Sequence, residues 1–294
     1  MKNLKGIFPA LLTPFAEDGK IKEDSLRRLV DFNIRKGVTG FYVCGSTAEV
    51  LLLKPEERKR ILEIVTDEVK GRVTVICHVG AISTEWSIEY ARHAANLGVD
   101  AISSIPPFYY PFTADELLGY YLDIVFAVNM PMIVYNFPAF SGVTMTMERI
   151  KKLRENKYIT GIKHTSTDLF QINSMKRIDP ELIIYNGYDE IFLAGLSMGA
   201  DGGIGSTYNV MAEKFIAIKK CFDEGKLGEA AKMQTQADDV IRVIASMNVF
   251  GAEKYLLGLQ GIPFGECRKP FKPLGDDDKK KLDGVFEKYL QKMQ

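Results

Sequence analysis

Ile159-Thr160-Gly161-Ile162-Lys163-His164-Thr165 is a short apolar run that ends by presenting one lysine. Ile133-Val134-Tyr135-Asn136-Phe137-Pro138 precedes it and Ile183-Ile184-Tyr185-Asn186-Gly187-Tyr188-Asp189-Glu190 follows it, each apolar at its start and polar at its C-terminal end. In a protein that alternates strand and helix, those ends converge on one rim, where ligands bind. The stretch therefore poses a question: is Lys163 a nucleophile or a rim charge?

Outward from it the same grammar repeats. Toward the N-terminus, strands are expected at 7–12, 40–44, 73–77 and 99–105, with helices over 23–36, from Pro55 onward and over 84–97. Pro55 suits a first helical position, Glu56 and Glu57 complement the helix dipole, and Thr113-Ala114-Asp115-Glu116 has the form of a capping box that starts a further helix. Helices at 147–155, 168–177 and 190–198 follow the three central strands, and Gly202-Gly203-Ile204-Gly205-Ser206-Thr207 gives a glycine-rich strand before a helix over 210–224. That makes eight strand–helix units in order. Strict alternation implies parallel strands with right-handed crossovers, and eight units close into a (β/α)8 TIM barrel over residues 1–224. The alternative, an open doubly wound sheet, lacks its expected G-x-G-x-x-G after the first strand. Residues 225–294 read as a C-terminal helical extension packed on the barrel, with helical patterns at 227–247, 252–259 and 276–292.

Composition narrows the class of partner. A hydrophobic fraction of 46% and a charged fraction of 26% are those of an ordinary soluble globular protein. Lys plus Arg and Asp plus Glu both number 38, so overall charge favours neither nucleic acid nor an anionic membrane, and a small molecule is the default partner. Cys44, Cys77, Cys221 and Cys267 lie far apart with no C-x-x-C pair, and His78, His93 and His164 lack ligand spacing, so neither a disulfide framework nor a metal site is expected. Met1 to Gly6 runs into a strand with no signal-peptide core, and no later stretch approaches about 18 uninterrupted apolar residues. The sequence reads as cytoplasmic.

The chemistry centres on Lys163. A neutral lysine amine attacks a carbonyl to form a Schiff base, and burial or a nearby positive charge lowers its pKa enough to supply that form. Strand alternation places Gly161, Lys163 and Thr165 on one face and Ile162 and His164 on the other, so an inward Lys163 turns His164 toward the helices. On residue type alone Lys163 is a solvated charge; its place at the rim beside Tyr135 argues for function, and the residues leave both readings open. Tyr135 is either an amphipathic wall residue or a proton relay. Gly45-Ser46-Thr47 offers hydroxyls and backbone N–H groups suited to a carboxylate, or merely a helix cap. The 202–207 stretch is either tight packing or a phosphate cradle, and Tyr109-Tyr110 is a packed loop or an interface.

Gly45-Ser46-Thr47-Ala48-Glu49, Tyr135-Asn136-Phe137-Pro138, Gly161-Ile162-Lys163 and Gly202-Gly203-Ile204-Gly205-Ser206 resemble, in order and spacing, the N-acetylneuraminate lyase and dihydrodipicolinate synthase family. These are class I, Schiff-base-forming aldolases on a (β/α)8 barrel with a C-terminal helical extension, and the similarity runs through essentially the whole chain. The resemblance implies that Lys163 forms the imine with pyruvate, that Tyr135 shuttles the proton, and that Ser46 and Thr47 hold the pyruvate carboxylate. It further implies that Tyr109 reaches the site of a neighbouring subunit in a homotetramer built from tight dimers. No metal or organic cofactor is needed, because the imine supplies the electrophile.

Within the family, synthases carry an arginine shortly after the tyrosine strand; here that region is Pro138-Ala139-Phe140-Ser141-Gly142. Tyr185 to Glu190 instead resembles the lyase pattern, in which Gly187, Asp189, Glu190, Thr165 and Ser206 contact a polyhydroxylated sugar chain. The alternative reading of Asp189-Glu190 is no more than a helix start with its dipole satisfied. The resemblance thus points to reversible retro-aldol cleavage of N-acetylneuraminate to N-acetylmannosamine and pyruvate, with dihydrodipicolinate synthase or 2-keto-3-deoxy sugar acid aldolase activity as the nearest rivals. From other classes, a phosphosugar isomerase and a non-catalytic 2-oxo-acid binding protein compete. One departure is Ala48, where many relatives have glycine.

Overall fold

In the computed structural model, which describes residues 3–291, each of the eight apolar runs forms a strand: β1 (Ile7–Pro9), β2 (Gly40–Val43), β3 (Thr74–His78), β4 (Ala101–Ser104), β5 (Met132–Asn136), β6 (Ile159–His164), β7 (Ile183–Asn186) and β8 (Gly202–Gly205). All pair in parallel in the order β1-β8-β7-β6-β5-β4-β3-β2. A bridge between Ala10 and Tyr42, with Leu11 N donating to Tyr42 O at 2.9 Å, joins the two ends. The sheet is therefore a closed (β/α)8 barrel and not an open one. Most strands are shorter than the apolar runs: β1 stops at Pro9 and β4 spans only Ala101–Ser104, whereas β3 runs on to His78.

Period-two alternation sorts the side chains into two layers. Phe8, Tyr42, Ile76, Ala101, Ile133, Tyr135, Tyr185 and Ile204 fill the barrel interior. Phe41, Val43, Val75, Ile102, Val134, Ile162 and Ile184 face the surrounding helices. Parallel strands covered on both faces need apolar residues on both, which is why the runs read as continuous rather than alternating.

The helices follow the sequence pattern closely: Glu23–Arg35, Pro55–Val69, Thr84–Asn96, Ala114–Val128, Met147–Arg154, Phe170–Ile178, Phe192–Ser197 and Tyr208–Asp223. Thr113 and Glu116 form the expected capping box, Thr113 N donating to Glu116 Oε2 at 2.6 Å. A short helix, Pro138–Ser141, stands where the sequence reads as a continuing strand to Pro138. The ring of Pro138 presets its first position, and Gly142 at φ 67° ends it.

The last helices are Leu227–Ala245, Val249–Leu259 and Asp276–Val285, the last continued by a π-helical turn, Phe286–Leu290. The final residue of the expected 276–292 helix lies outside the described residues. Ala237, Val240, Ile244, Leu256 and Leu257 share one apolar core with the barrel helices. Two polar clamps reinforce that contact. Lys254 Nζ meets Glu49 Oε1 at 2.5 Å with both side chains withdrawn from solvent, and Arg268 N donates to Glu49 Oε2 at 2.7 Å. The Arg268 guanidinium holds the Glu57 carboxylate bidentately, with N···O distances of 2.6 and 2.5 Å.

Truncating one partner of a buried pair strands the other as an uncompensated charge. Lys254→Met should therefore lose about 3–5 kcal/mol of stability in chemical denaturation. A loss within about 0.5 kcal/mol, the size of an ordinary surface change, would contradict that reading of the pair. Among the described residues no helix is long and apolar enough to cross a membrane.

Candidate active site

The register of the sheet sets Lys163 on β6 directly beside Tyr135 on β5 and Tyr185 on β7. Inward alternation then carries Lys163 into the barrel, where it is only 5% exposed. Its Nζ lies 4.1 Å from the centre of the Tyr135 ring and 4.5 Å from that of Tyr42. Burial lowers its pKa to about 7, opposed by the attraction of Asp189. Of the two causes anticipated for such a shift, burial acts here. At neutral pH about half of the amine is therefore uncharged and nucleophilic.

His164 points the other way, as alternation requires. Its Nε2 donates to Asp168 O at 2.9 Å, and its Nδ1 accepts from the Asn136 amide at 3.0 Å, between sheet and helix. The histidine that does line the site is His78, which the sequence does not single out. Its Nε2 accepts from Ile105 N at 3.1 Å, so Nδ1 carries the proton and donates to Cys44 O at 3.1 Å. Burial, reinforced by Arg58 and Lys163, pushes its pKa well below the ordinary value. It stands neutral, edge-on to Tyr135 at 6.1 Å.

Tyr135 stacks on Phe137 at 5.7 Å and meets Tyr42 edge to face at 6.2 Å. Burial raises the pKa of its phenol, and the hydroxyls of Thr165 and Ser46 oppose that rise. The phenol is thus protonated at rest. Thr165 Oγ1 approaches it without a well-formed hydrogen bond and has no other partner among the described residues. A side chain at Gly187 would put its Cβ 1.9 Å from Thr165 Oγ1, so only glycine leaves room for that hydroxyl.

Ser46 and Thr47 lie in a 3₁₀ turn, Ser46–Ala48, with Ser46 exposed at the rim and Thr47 buried. They do not cap the following helix, whose N-cap is Lys54. Ala48 is accommodated without strain, because the left-handed residues of this segment are its flanks, Cys44 at φ 60° and Glu49 at φ 57°. The Glu49 carboxylate is the one gripped by Lys254 and Arg268, so the C-terminal extension braces this turn.

Asp189 and Glu190, adjacent in sequence, have different surroundings. Glu190 is exposed on the rim. Asp189 is buried, and its Oδ2 accepts from Thr207 N at 3.0 Å and Thr207 Oγ1 at 2.6 Å. Burial raises its pKa to about 6 against those hydrogen bonds, and Oδ1 has no partner among the described residues. A Cβ at Gly205 would fall 1.8 Å from Asp189 Oδ1, so close packing is what the glycine provides. Ser206 Oγ, half-buried at the end of β8, donates to Oε1 of Glu253 at 2.6 Å. With the Ser206 and Thr207 hydroxyls already donating to Glu253 and Asp189, the 202–207 stretch is a poor phosphate cradle.

Lys163, Tyr135, Ser46, Thr47, Thr165, Gly187, Asp189, Glu190 and Ser206 thus gather at the C-terminal end of one barrel. Tyr109 does not join them within this chain: it is 86% exposed, held at φ 85°, with its ring against Tyr110 at 5.1 Å. Phe140 projects from Pro138–Ser141 and packs on Phe137 at 4.5 Å.

A sequence profile of the Dihydrodipicolinate synthetase family matches residues 3–289. The chain belongs to this family. Among its members, the N-acetylneuraminate lyase of Citrobacter koseri is 44% identical, over 99% of this chain and 98% of its own. CdNal from Clostridium difficile, solved in complex with mannosamine, superposes with a TM-score of 0.96 at 37% identity, covering 98% of this chain and 100% of the other. A catalytic lysine mutant of the Ruminococcus gnavus sialic acid aldolase superposes with a TM-score of 0.92 at 33% identity, covering 99% and 100%.

Proposed function

We propose that the chain is an N-acetylneuraminate lyase, a carbon–carbon lyase that cleaves N-acetylneuraminate reversibly to N-acetylmannosamine and pyruvate. The observation that carries the chemistry is the buried Lys163 amine, with its pKa near 7, set against the Tyr135 phenol. The lyases and sialic acid aldolase among its relatives support the choice of substrate.

Neutral Lys163 adds to the 2-oxo carbon of the open-chain sugar acid, and the carbinolamine loses its hydroxyl as water with one proton taken up from solvent, which leaves a protonated imine. Ser46 and Thr47 hold the substrate carboxylate. The C3–C4 bond breaks with its electron pair flowing into the imine, giving an enamine, while the C4 hydroxyl becomes the aldehyde of the departing sugar. The C4 hydroxyl proton goes to Tyr135. Because that phenol is protonated at rest, it accepts only as it passes its own proton on, and the substrate carboxylate is the base at the other end of the relay. Protonation of the enamine and hydrolysis of the imine then release pyruvate and restore the amine.

The rim that runs from β6 to β8 beyond Tyr135 supports a polyhydroxylated partner. Thr165, Asp189, Glu190 and Ser206 offer hydroxyls and carboxylates, which bind vicinal diols and repel a second carboxylate. Phe140 stands in the segment where a synthase would carry its arginine. Comparing cleavage of N-acetylneuraminate with condensation of pyruvate and aspartate semialdehyde tests the assignment; turnover in the second assay alone would overturn it.

The proposed working form is a cytoplasmic homotetramer. Four unpaired cysteines fit a reducing compartment. Tyr109 supports the assembly, since an 86% exposed tyrosine at positive φ is an unfavourable surface that a second copy would cover while Tyr109 reaches that copy's Tyr135. Light scattering should return four times the 33.0 kDa chain mass. A fully active monomer would rule out the proposed role of Tyr109.

A further inference from the structure

Glu253 occupies an unusual position for an acid. It sits in the helix Val249–Leu259 between Ala252 and Lys254, and its side chain is entirely withdrawn from solvent. Oε1 accepts the Ser206 hydroxyl at 2.6 Å, Oε2 has no hydrogen-bond partner, and no cation pairs with the carboxyl among the described residues. Burying a polar group so poorly matched is costly, and an apolar side chain of the same size would pack there more favourably. The fold gains little from this acid, so a reason for it lies in what it touches. It touches Ser206.

A serine hydroxyl has one proton and two lone pairs. With the proton directed at Glu253, Ser206 presents lone pairs to the rim, and its Oγ is held in one rotamer. Burial pushes the Glu253 carboxyl up to about 8, with the Ser206 hydrogen bond opposing and Asp189 reinforcing the shift. At neutral pH it is mainly the uncharged acid, which still accepts through its carbonyl oxygen and adds little negative charge beside Asp189.

We propose that Glu253 is a positioning residue that fixes Ser206 as a hydrogen-bond acceptor for a hydroxyl of the sugar chain. This rests on the lyase reading above. Glu253 thereby acts on the aldehyde half of the substrate and not on the pyruvate half, which Ser46 and Thr47 hold after β2, with β1 between them and Ser206.

The test compares wild type, Glu253→Leu, Glu253→Gln, Ser206→Ala and the Ser206→Ala/Glu253→Leu double variant. Glu253→Leu should raise KM for N-acetylneuraminate about tenfold with kcat within about twofold, the size expected for losing one oriented hydrogen bond. Glu253→Gln, which keeps an acceptor, should stay within about threefold of wild type. Formation of the borohydride-trapped pyruvate adduct should be unchanged in all. In the Ser206→Ala background, adding Glu253→Leu should have no further effect on KM.

Unchanged KM in a folded Glu253→Leu, or losses that simply add in the double variant, would overturn the proposal. If Glu253→Leu does not accumulate, Glu253→Gln decides: a Gln variant losing as much as Ser206→Ala overturns it, and one near wild type supports it. An inactive wild type on N-acetylneuraminate would instead overturn the lyase reading, and this inference with it.

Discussion

Lys163→Ala is expected to yield no covalent adduct when pyruvate and borohydride are added, and to lose turnover by a factor of about 10⁴ or more. The reasoning is chemical: Lys163 is the one lysine carried on a barrel strand among the described residues, the buried amine of Lys254 is tied to Glu49, and without an imine the C3–C4 electrons have no sink. Mass spectrometry of the trapped peptide checks the first part. An adduct persisting in the variant at the wild-type level would place the nucleophile elsewhere. The same residue sets a pH dependence. Because the amine must be neutral to attack, adduct formation in the wild type should rise as pH passes upward through about 7. The sign for stability is also fixed. The unfolded chain binds a proton here up to its ordinary pKa of 10.5, whereas the folded chain releases it near 7. This group therefore weakens the fold fully below about pH 7 and progressively less as pH rises. Lys163→Met, which fills the space without a charge, should be inactive yet more stable than wild type at pH 7 by a few kcal/mol. That pairing of lost activity with gained stability separates a chemical role from a structural one.

Tyr135→Phe should give the complementary result. The ring that packs over Lys163 remains, so the adduct should form at close to the wild-type level. Carbon–carbon cleavage should fall by roughly 10²–10⁴, the usual contribution of a positioned proton-transfer group. Single-turnover measurements divide the two steps, since imine formation and pyruvate release are read separately. Wild-type turnover in Tyr135→Phe would remove the phenol from the relay. An equal loss in trapping and in cleavage would mean that its hydroxyl orients Lys163 and not the sugar.

The fold is legible in the sequence because its elements are local. Each strand is a run of adjacent residues, and each helix declares itself by its apolar stripe or by a cap such as Thr113-x-x-Glu116. The pairing of Lys163 with Tyr135 is legible for the same reason: both end inward-facing strands that are neighbours in order, and alternation alone turns His164 aside. The short helix after Pro138 is harder, since the apolar run continues through it and only the proline and Gly142 mark the break. Tyr42 and His78 hide inside strands that look like ordinary core. Glu253 is legible only as an oddity, an acid beside Ala252 in a helix otherwise mostly apolar on its inner face. Nothing local links it to Ser206, because that contact spans 47 positions of the chain and exists only after the barrel has closed.

Glu253 and Lys254 are consecutive, yet they reach different parts of the rim, Ser206 after β8 and Glu49 after β2. Both contacts hang on the docking of one helix, Val249–Leu259, so whatever displaces that helix releases the Ser206 and Glu49 turns at once.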